Sequence, residues 1–188
     1  MKEKLIRQIA AYTPFNEQEK TDKALLLRFL ESGENLTLRE SLPGHLTASA
    51  WVVSPDRRHV LMAYHNLYNS WAWLGGHADG NWNLAAVAEK EAREESGIQN
   101  LRPVTEEILS MEILTVDGHE KKGRYVPCHL HLNLTYLFEA DPGENLHIKA
   151  DENSDVGWIA VEEIAEKSTE PWFVKRIYSK LTEKSAGL

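Results

Sequence analysis

Residues 76–98 read GHADGNWNLAAVAEKEAREESGI, and this stretch decides how the rest of the chain is read. Asn83 can cap a helix, Leu84 and the alanines favour one, and Gly97 stops it, so a helix is expected over 83–96. On a wheel of about 100° per residue, Leu84, Ala85, Ala88 and Ala92 share one arc, which should face the core. Glu91 lies at the edge of that arc, Glu95 within it and Glu94 on the other border. Glu91 and Glu95 are like charges one turn apart, which costs a bare helix about 0.2–0.5 kcal/mol. A glutamate-rich helix is ordinarily a solvated surface. Here, however, Glu95 points inward. Gly75 and Gly76 also stand a short loop before the helix, where glycine lets backbone approach a phosphate. Three carboxylates converging beside an alanine face suit a hard cation better than a core.

Outward from this helix, the first 33 residues read as two helices broken near Thr13 and Pro14, the second over 17–31. Strand signals follow at 46–53, 60–64 and 71–74. Two long strands are expected at 104–116 and 128–138, joined through Asp117 and Gly118, and a last one at 156–161. A short helix over 161–167 and a terminal helix begun by Pro171 complete the chain. No internal repeat and no low-complexity linker interrupts it. Strands in the middle and helices at the ends give an α+β class, or a mixed α/β/α sandwich. The organisation expected is a helical extension over 1–43, one domain over 44–168 and a C-terminal helix over 169–188 packed on it.

The whole chain has 188 residues, of ordinary globular composition, long enough for a real core without staples. Its formal net charge of −8 argues against a general nucleic-acid binder, which needs a basic footprint. It does not exclude a phosphorylated ligand, because a bound divalent cation reverses the local sign. The single cysteine, Cys128, rules out an internal disulfide framework and a cysteine-rich zinc knuckle. No apolar run approaches the roughly 20 residues that span a bilayer. The expectation is a cytoplasmic protein with neither membrane nor nucleic acid as partner.

Residues 76–98 resemble the Nudix box: Gly, five residues, Glu, seven residues, then Arg-Glu-aliphatic-any-Glu-Glu-any-Gly-aliphatic. Gly76, Glu91, Ala92, Glu94, Glu95, Gly97 and Ile98 match at the family's spacing. Trp82 stands where the first Glu belongs and Lys90 where the Arg belongs. LTASAWVVSPDRRHVLMAYH before the box and DVGWIAVEEI after it resemble the flanking strands and the closing strand–helix of Nudix domains. The resemblance implies a Nudix-type α/β/α sandwich with a mixed β-sheet. It also implies a hydrolase that cleaves a pyrophosphate bond in a nucleoside diphosphate linked to another moiety, using Mg2+ or Mn2+. By the same resemblance Glu91 and Glu95 are metal ligands. Glu94 is a further ligand or the group that takes the proton of the attacking water. Glu152, in the polar stretch KADENSD, is the rival for that proton by its position before the last strand.

Gly75, Gly76, His77, His129 and His131 are assigned to substrate binding. His129 and His131 alternate on one strand face with Asn133 next, while His45, His65 and His77 flank the glycine loop in sequence. Gly123, five residues, then His129-any-His131 imitates the opening of a cupin metal motif, but Glu139 comes too late and a second motif is absent. The histidines are therefore expected to shape a polar substrate pocket and not to hold zinc. Trp51, Trp71, Trp73 and Trp158 sit in strand patterns and read as core or rim. Phe15, Trp172 and Phe173 are expected to dock on the domain or on a second copy in a homodimer. The exchange of the Glu–Arg pair for Trp82 and Lys90 reads as a replaced brace. In it the Lys90 stem lies across the Trp82 ring, a cation–π contact worth about 0.5–1 kcal/mol, or else the loop is simply looser and Lys90 is solvated. Two alternatives stand beside the hydrolase. One is a catalytically impaired ligand-binding or regulatory module, motivated by Trp82 and Lys90. The other is an enzyme like the Nudix-fold isopentenyl-diphosphate isomerase, which sets histidines with glutamates around a metal, although its cysteine-containing motif is not recognisable here.

Overall fold

The computed structural model describes residues 1–121, 123–150 and 153–188. Its elements are α1 (Lys2–Ala11), α2 (Glu17–Glu31), β1 (Gly44–Val53), β2 (His59–His65), β3 (Ser70–Ala72), β4 (Leu74–His77), α3 (Leu84–Ser96), β5 (Arg102–Pro103), β6 (Ser110–Val116), β7 (His119–Lys121), β8 (Arg124–Val126), β9 (His129–Glu139) and β10 (Asn153–Ala160). The closing helices are α4 (Ile164–Lys167), α5 (Pro171–Phe173) and α6 (Ser179–Ser185), the last two joined by a π-helical stretch at Val174–Tyr178.

The centre of the sheet is a long parallel pairing of β1 with β9, from Gly44 opposite Leu130 to Val53 opposite Glu139. The strand order is β10-β2-β1-β9-β5, with β3 on β2, β4 on β1 and β6 on β9. All the other pairings are antiparallel, so the sheet is mixed and the α+β expectation holds. Side-chain alternation splits β1 between two cores. Leu46, Ala48, Ala50 and Val52 face α3 and pack with Leu84, Ala88 and Ala92. Trp51 and Val53 face the other way and pack with Ile177 and Tyr178 of the π-helical stretch and with Leu181 of α6. Trp71, Trp73 and Trp158 are only partly buried against these cores.

The strand expected at 104–116 is shorter than its pattern. The Thr105 hydroxyl accepts the Glu107 N–H, a local turn that competes with the ladder, and continuous pairing with β9 begins only at Ser110. The single strand expected at 71–74 is two, β3 on β2 and β4 on β1.

β6 is an edge strand, and α2 covers it: the Asp22 carboxylate accepts the Ile113 N–H at 3.2 Å. Behind that edge lies a buried ionic network that ties both ends of the chain to the sheet. Glu19, Glu112 and Lys180 are 0%, 1% and 4% exposed. Lys180 Nζ stands 3.0 Å from Glu112 and 3.3 Å from Glu19, and Lys184 Nζ 3.0 Å from Glu19. Glu112 also accepts from Asn133 and Thr135, each at 3.1 Å. Burial by itself raises the Glu19 pKa. The Tyr12 hydroxyl, the Phe15 N–H, the Ser110 hydroxyl and Lys180 outweigh it and hold the carboxyl below its ordinary value. Nothing in the hydrophobic pattern had singled out these residues.

Candidate active site

Helix α3 forms as its sequence dictates. The Asn83 side chain accepts the Ala86 N–H, and Gly97 closes the helix in the left-handed conformation at φ 75°. Leu84, Ala88 and Ala92 bind the helix to the sheet, which turns Glu95 inward to 5% exposure. Glu91 is half-buried at the border and Glu94 is exposed, as the wheel requires.

The strand that receives these carboxylates is β4. The Gly75 N–H donates to Glu95 Oε2 at 3.1 Å. At Gly76 a Cβ would stand 2.6 Å from Glu91 Cδ, so only a glycine there leaves Glu91 room against the strand. Gly75 is tighter still: a Cβ would meet the Ala48 carbonyl oxygen at 2.5 Å. The two glycines thus act through the space they leave, and both lie directly under the two inner glutamates.

Lys90 does not lie over Trp82. Its ammonium is shared between Glu91 and Glu94, 3.0 Å from each, and these carboxylates, Glu94 first, raise its pKa. The Trp82 ring instead packs against the core and carries Lys2 of α1, with Nζ 5.2 Å from its centroid. The expected brace is therefore corrected. Lys90 is one residue before Glu91 and four before Glu94, so its ammonium reaches the nearby carboxylates, while α1 supplies the cation for the ring. Arg93 pairs with Glu89 at 2.8 Å and reaches the Leu101 carbonyl, fastening the end of α3 to the segment that follows.

Of the residues assigned to substrate binding, strand alternation divides the set. Gly76 faces α3, whereas His77, next along β4, is directed to the opposite face of the sheet. There it meets His131 at 4.9 Å and His45 at 5.1 Å between ring centroids. His129 stacks on His45 at 4.9 Å. His65 is not with them: its ring lies against Tyr68. Burial, followed by neighbouring histidine charge, lowers the His77 pKa to about 2 and that of His131 to about 3. Burial and then His129 lower that of His45. Glu152 lies outside the described residues.

The NUDIX domain matches this chain over residues 43–181. No curated protein matches it in sequence. Among solved structures, a Nudix hydrolase from M. smegmatis superposes with a TM-score of 0.55 at 16% identity, covering 77% of this chain and 87% of its own. A C. elegans Ap4A hydrolase binary complex gives 0.51 at 15%, covering 76% and 98%. The E. coli dihydroneopterin triphosphate pyrophosphohydrolase gives 0.51 at 12%, covering 71% and 94%.

Proposed function

The chain belongs to the NUDIX family, and from that premise we propose that it is a hydrolase of phosphorus anhydrides that cleaves a pyrophosphate bond in a small nucleoside diphosphate derivative with Mg2+ or Mn2+. The observation that carries the proposal is the seating of Glu91 and Glu95 against Gly76 and Gly75. Oxygen-only donors one helical turn apart fit a hard divalent ion, and the missing Cβ at Gly76 keeps Glu91 turned toward the strand. Glu91 and Glu95, with Glu94 beside them, would hold the ion, which supplies neutralisation of phosphate charge and a more acidic water. The backbone N–H of Gly75 fixes Glu95. Lys90 balances Glu91 and Glu94 and stays on the solvent side, 59% exposed, where it can swing toward a phosphate.

Glu94 is the exposed member of the set and is proposed as the acceptor of the water's proton, with Glu152 as its rival. By their names, two of the structural neighbours act on Ap4A and on dihydroneopterin triphosphate, which supports an anhydride between phosphates as the bond broken. We read 44–168 as the catalytic unit, flanked by a helical extension over 1–43 and a closing helix over 169–188. Among the described residues no helix is long and apolar enough to cross a membrane. A reducing, cytoplasmic setting is proposed from the lone cysteine. A homodimer contact is proposed at Trp172, which is 50% exposed.

A panel of nucleotide sugars, dinucleoside polyphosphates and nucleoside triphosphates, assayed with Mg2+ and with Mn2+, tests the reading. Divalent-dependent release of a mononucleotide or of phosphate products is expected. No turnover across the panel, or isomerisation of an isoprenoid diphosphate in place of hydrolysis, would overturn it.

A further inference from the structure

We propose that His45, His77 and His131 form a second metal centre, one for a transition ion of the zinc class, on the face of the sheet opposite the glutamates. The register builds it. On the parallel pair His45 stands opposite His131, and on the antiparallel pair His77 stands opposite Thr47, two residues along the same face from His45. One ring nitrogen from each of the three lies within 4.8 Å of the others. Zinc–nitrogen bonds of about 2.0–2.1 Å set tetrahedral ligand nitrogens roughly 3.4 Å apart, so side-chain rotation of about an ångström closes the set.

The polar atoms here also lack what buried polar atoms usually have. His45 is 3% exposed, and neither of its ring nitrogens makes a well-formed hydrogen bond among the described residues; nor does Nε2 of His131. The Ser41 backbone lies close enough to favour protonation of His45, but burial dominates. Burial likewise keeps His77 and His131 neutral at pH 7, and neutral imidazole is the form that donates a lone pair to a metal. Arg39 adds to this neutrality, and Asp79 opposes it weakly. The Nδ1 of His129 lies 2.8 Å from the Pro127 carbonyl. A carbonyl only accepts, so Nδ1 is the donor in that contact, and the ring stacks on His45.

The donor chemistry separates this centre from the glutamate site. Three imidazoles with no carboxylate suit zinc and its neighbours in the transition series, whereas magnesium takes oxygen. Three protein ligands also leave a position for water or a ligand atom. The inference goes beyond the hydrolase reading and does not depend on it.

Cobalt(II) is the probe, added to the full chain after chelation and followed by its visible absorption. The wild type is expected to show a tetrahedral or five-coordinate band that saturates at one ion per chain and that zinc displaces, whereas an ion held by the glutamate oxygens adds no such band. Glu91→Gln and Glu95→Gln should keep the band. His131→Gln and His45→Asn should weaken cobalt binding by at least about a hundredfold, since loss of groups that merely orient a ligand already costs 10–100-fold. His77→Gln serves if the other two do not fold. The absence of a band in the wild type, affinity unchanged in a folded histidine variant, or a band lost only with the glutamates would each overturn the centre.

Discussion

Alanine at Gly75 and alanine at Gly76 should fail in different ways, although the two positions are adjacent. At Gly75 the new Cβ would lie 2.5 Å from the Ala48 carbonyl oxygen and 2.9 Å from Ser49 Cα. Both atoms are β1 backbone, which can yield only by parting β4 from β1. Overpacking of this kind costs about 1–3 kcal/mol. For a chain of this size that lowers Tm by roughly 2–12 °C. At Gly76 the new Cβ would lie 2.6 Å from Glu91 Cδ and 2.8 Å from its Cγ. A side chain can retreat, at about 0.5–1.5 kcal/mol for a poorer rotamer. Contact distances of about 3.5–4.0 Å between carbons then require the carboxylate to move by roughly an ångström. A misplacement of that size can cost about a hundredfold in rate. Thermal unfolding and kcat/KM at saturating Mg2+ separate the two effects. Gly76→Ala should keep a near-native Tm and lose about a hundredfold in turnover, while Gly75→Ala should lose stability first. Wild-type turnover in a folded Gly76→Ala would refute the view that the glycine exists to seat Glu91.

Two predictions concern the buried ionic network. Lys180→Met leaves Glu112 without its cation and should cost about 3–5 kcal/mol in urea unfolding; a loss under about 1 kcal/mol, the scale of surface pairs, would show that the network is not holding the two ends to the sheet. Glu19 has a lowered folded pKa, so its contribution to stability is complete above its unfolded value and is lost as pH falls through the folded one. The stability advantage of wild type over Glu19→Gln should therefore be flat near neutrality and shrink in the acid range by up to about 1.4 kcal/mol per pH unit. An advantage that does not change with acid would contradict the assigned ion pairs.

The helix of 84–96 was legible because capping, alanine content and wheel position all agree, and the same wheel placed Glu95 inward. The glycine pair was legible as a close approach, but not as an approach to Glu91 and Glu95 in particular. That fact depends on the pairing of β4 with β1, which is a long-range contact. The same pairing explains why the substrate-binding set divides. One-residue alternation sends Gly76 and His77 to opposite faces, and sequence spacing alone had placed them together. Strand alternation puts His129 and His131 on one face, yet their meeting with His45 needs the parallel register of β1 and β9. Lys180 was invisible for a different reason. A lysine between Ile177 and Leu181 reads as an amphipathic side chain until Glu19 and Glu112, far away in sequence, are seen to surround it.

Turnover of Glu95→Gln on the best diphosphate substrate, with Mg2+ and with Mn2+, tests the central claim most directly. The substitution keeps the volume of the side chain and removes the charge that the Gly75 N–H orients. A divalent ion contributes several kcal/mol of transition-state stabilisation, so the rate should fall by at least about a hundredfold. The Tm without metal should stay close to that of the wild type. Hydrolysis by Glu95→Gln at the wild-type rate would contradict the assignment of the active site to the inner face of this helix.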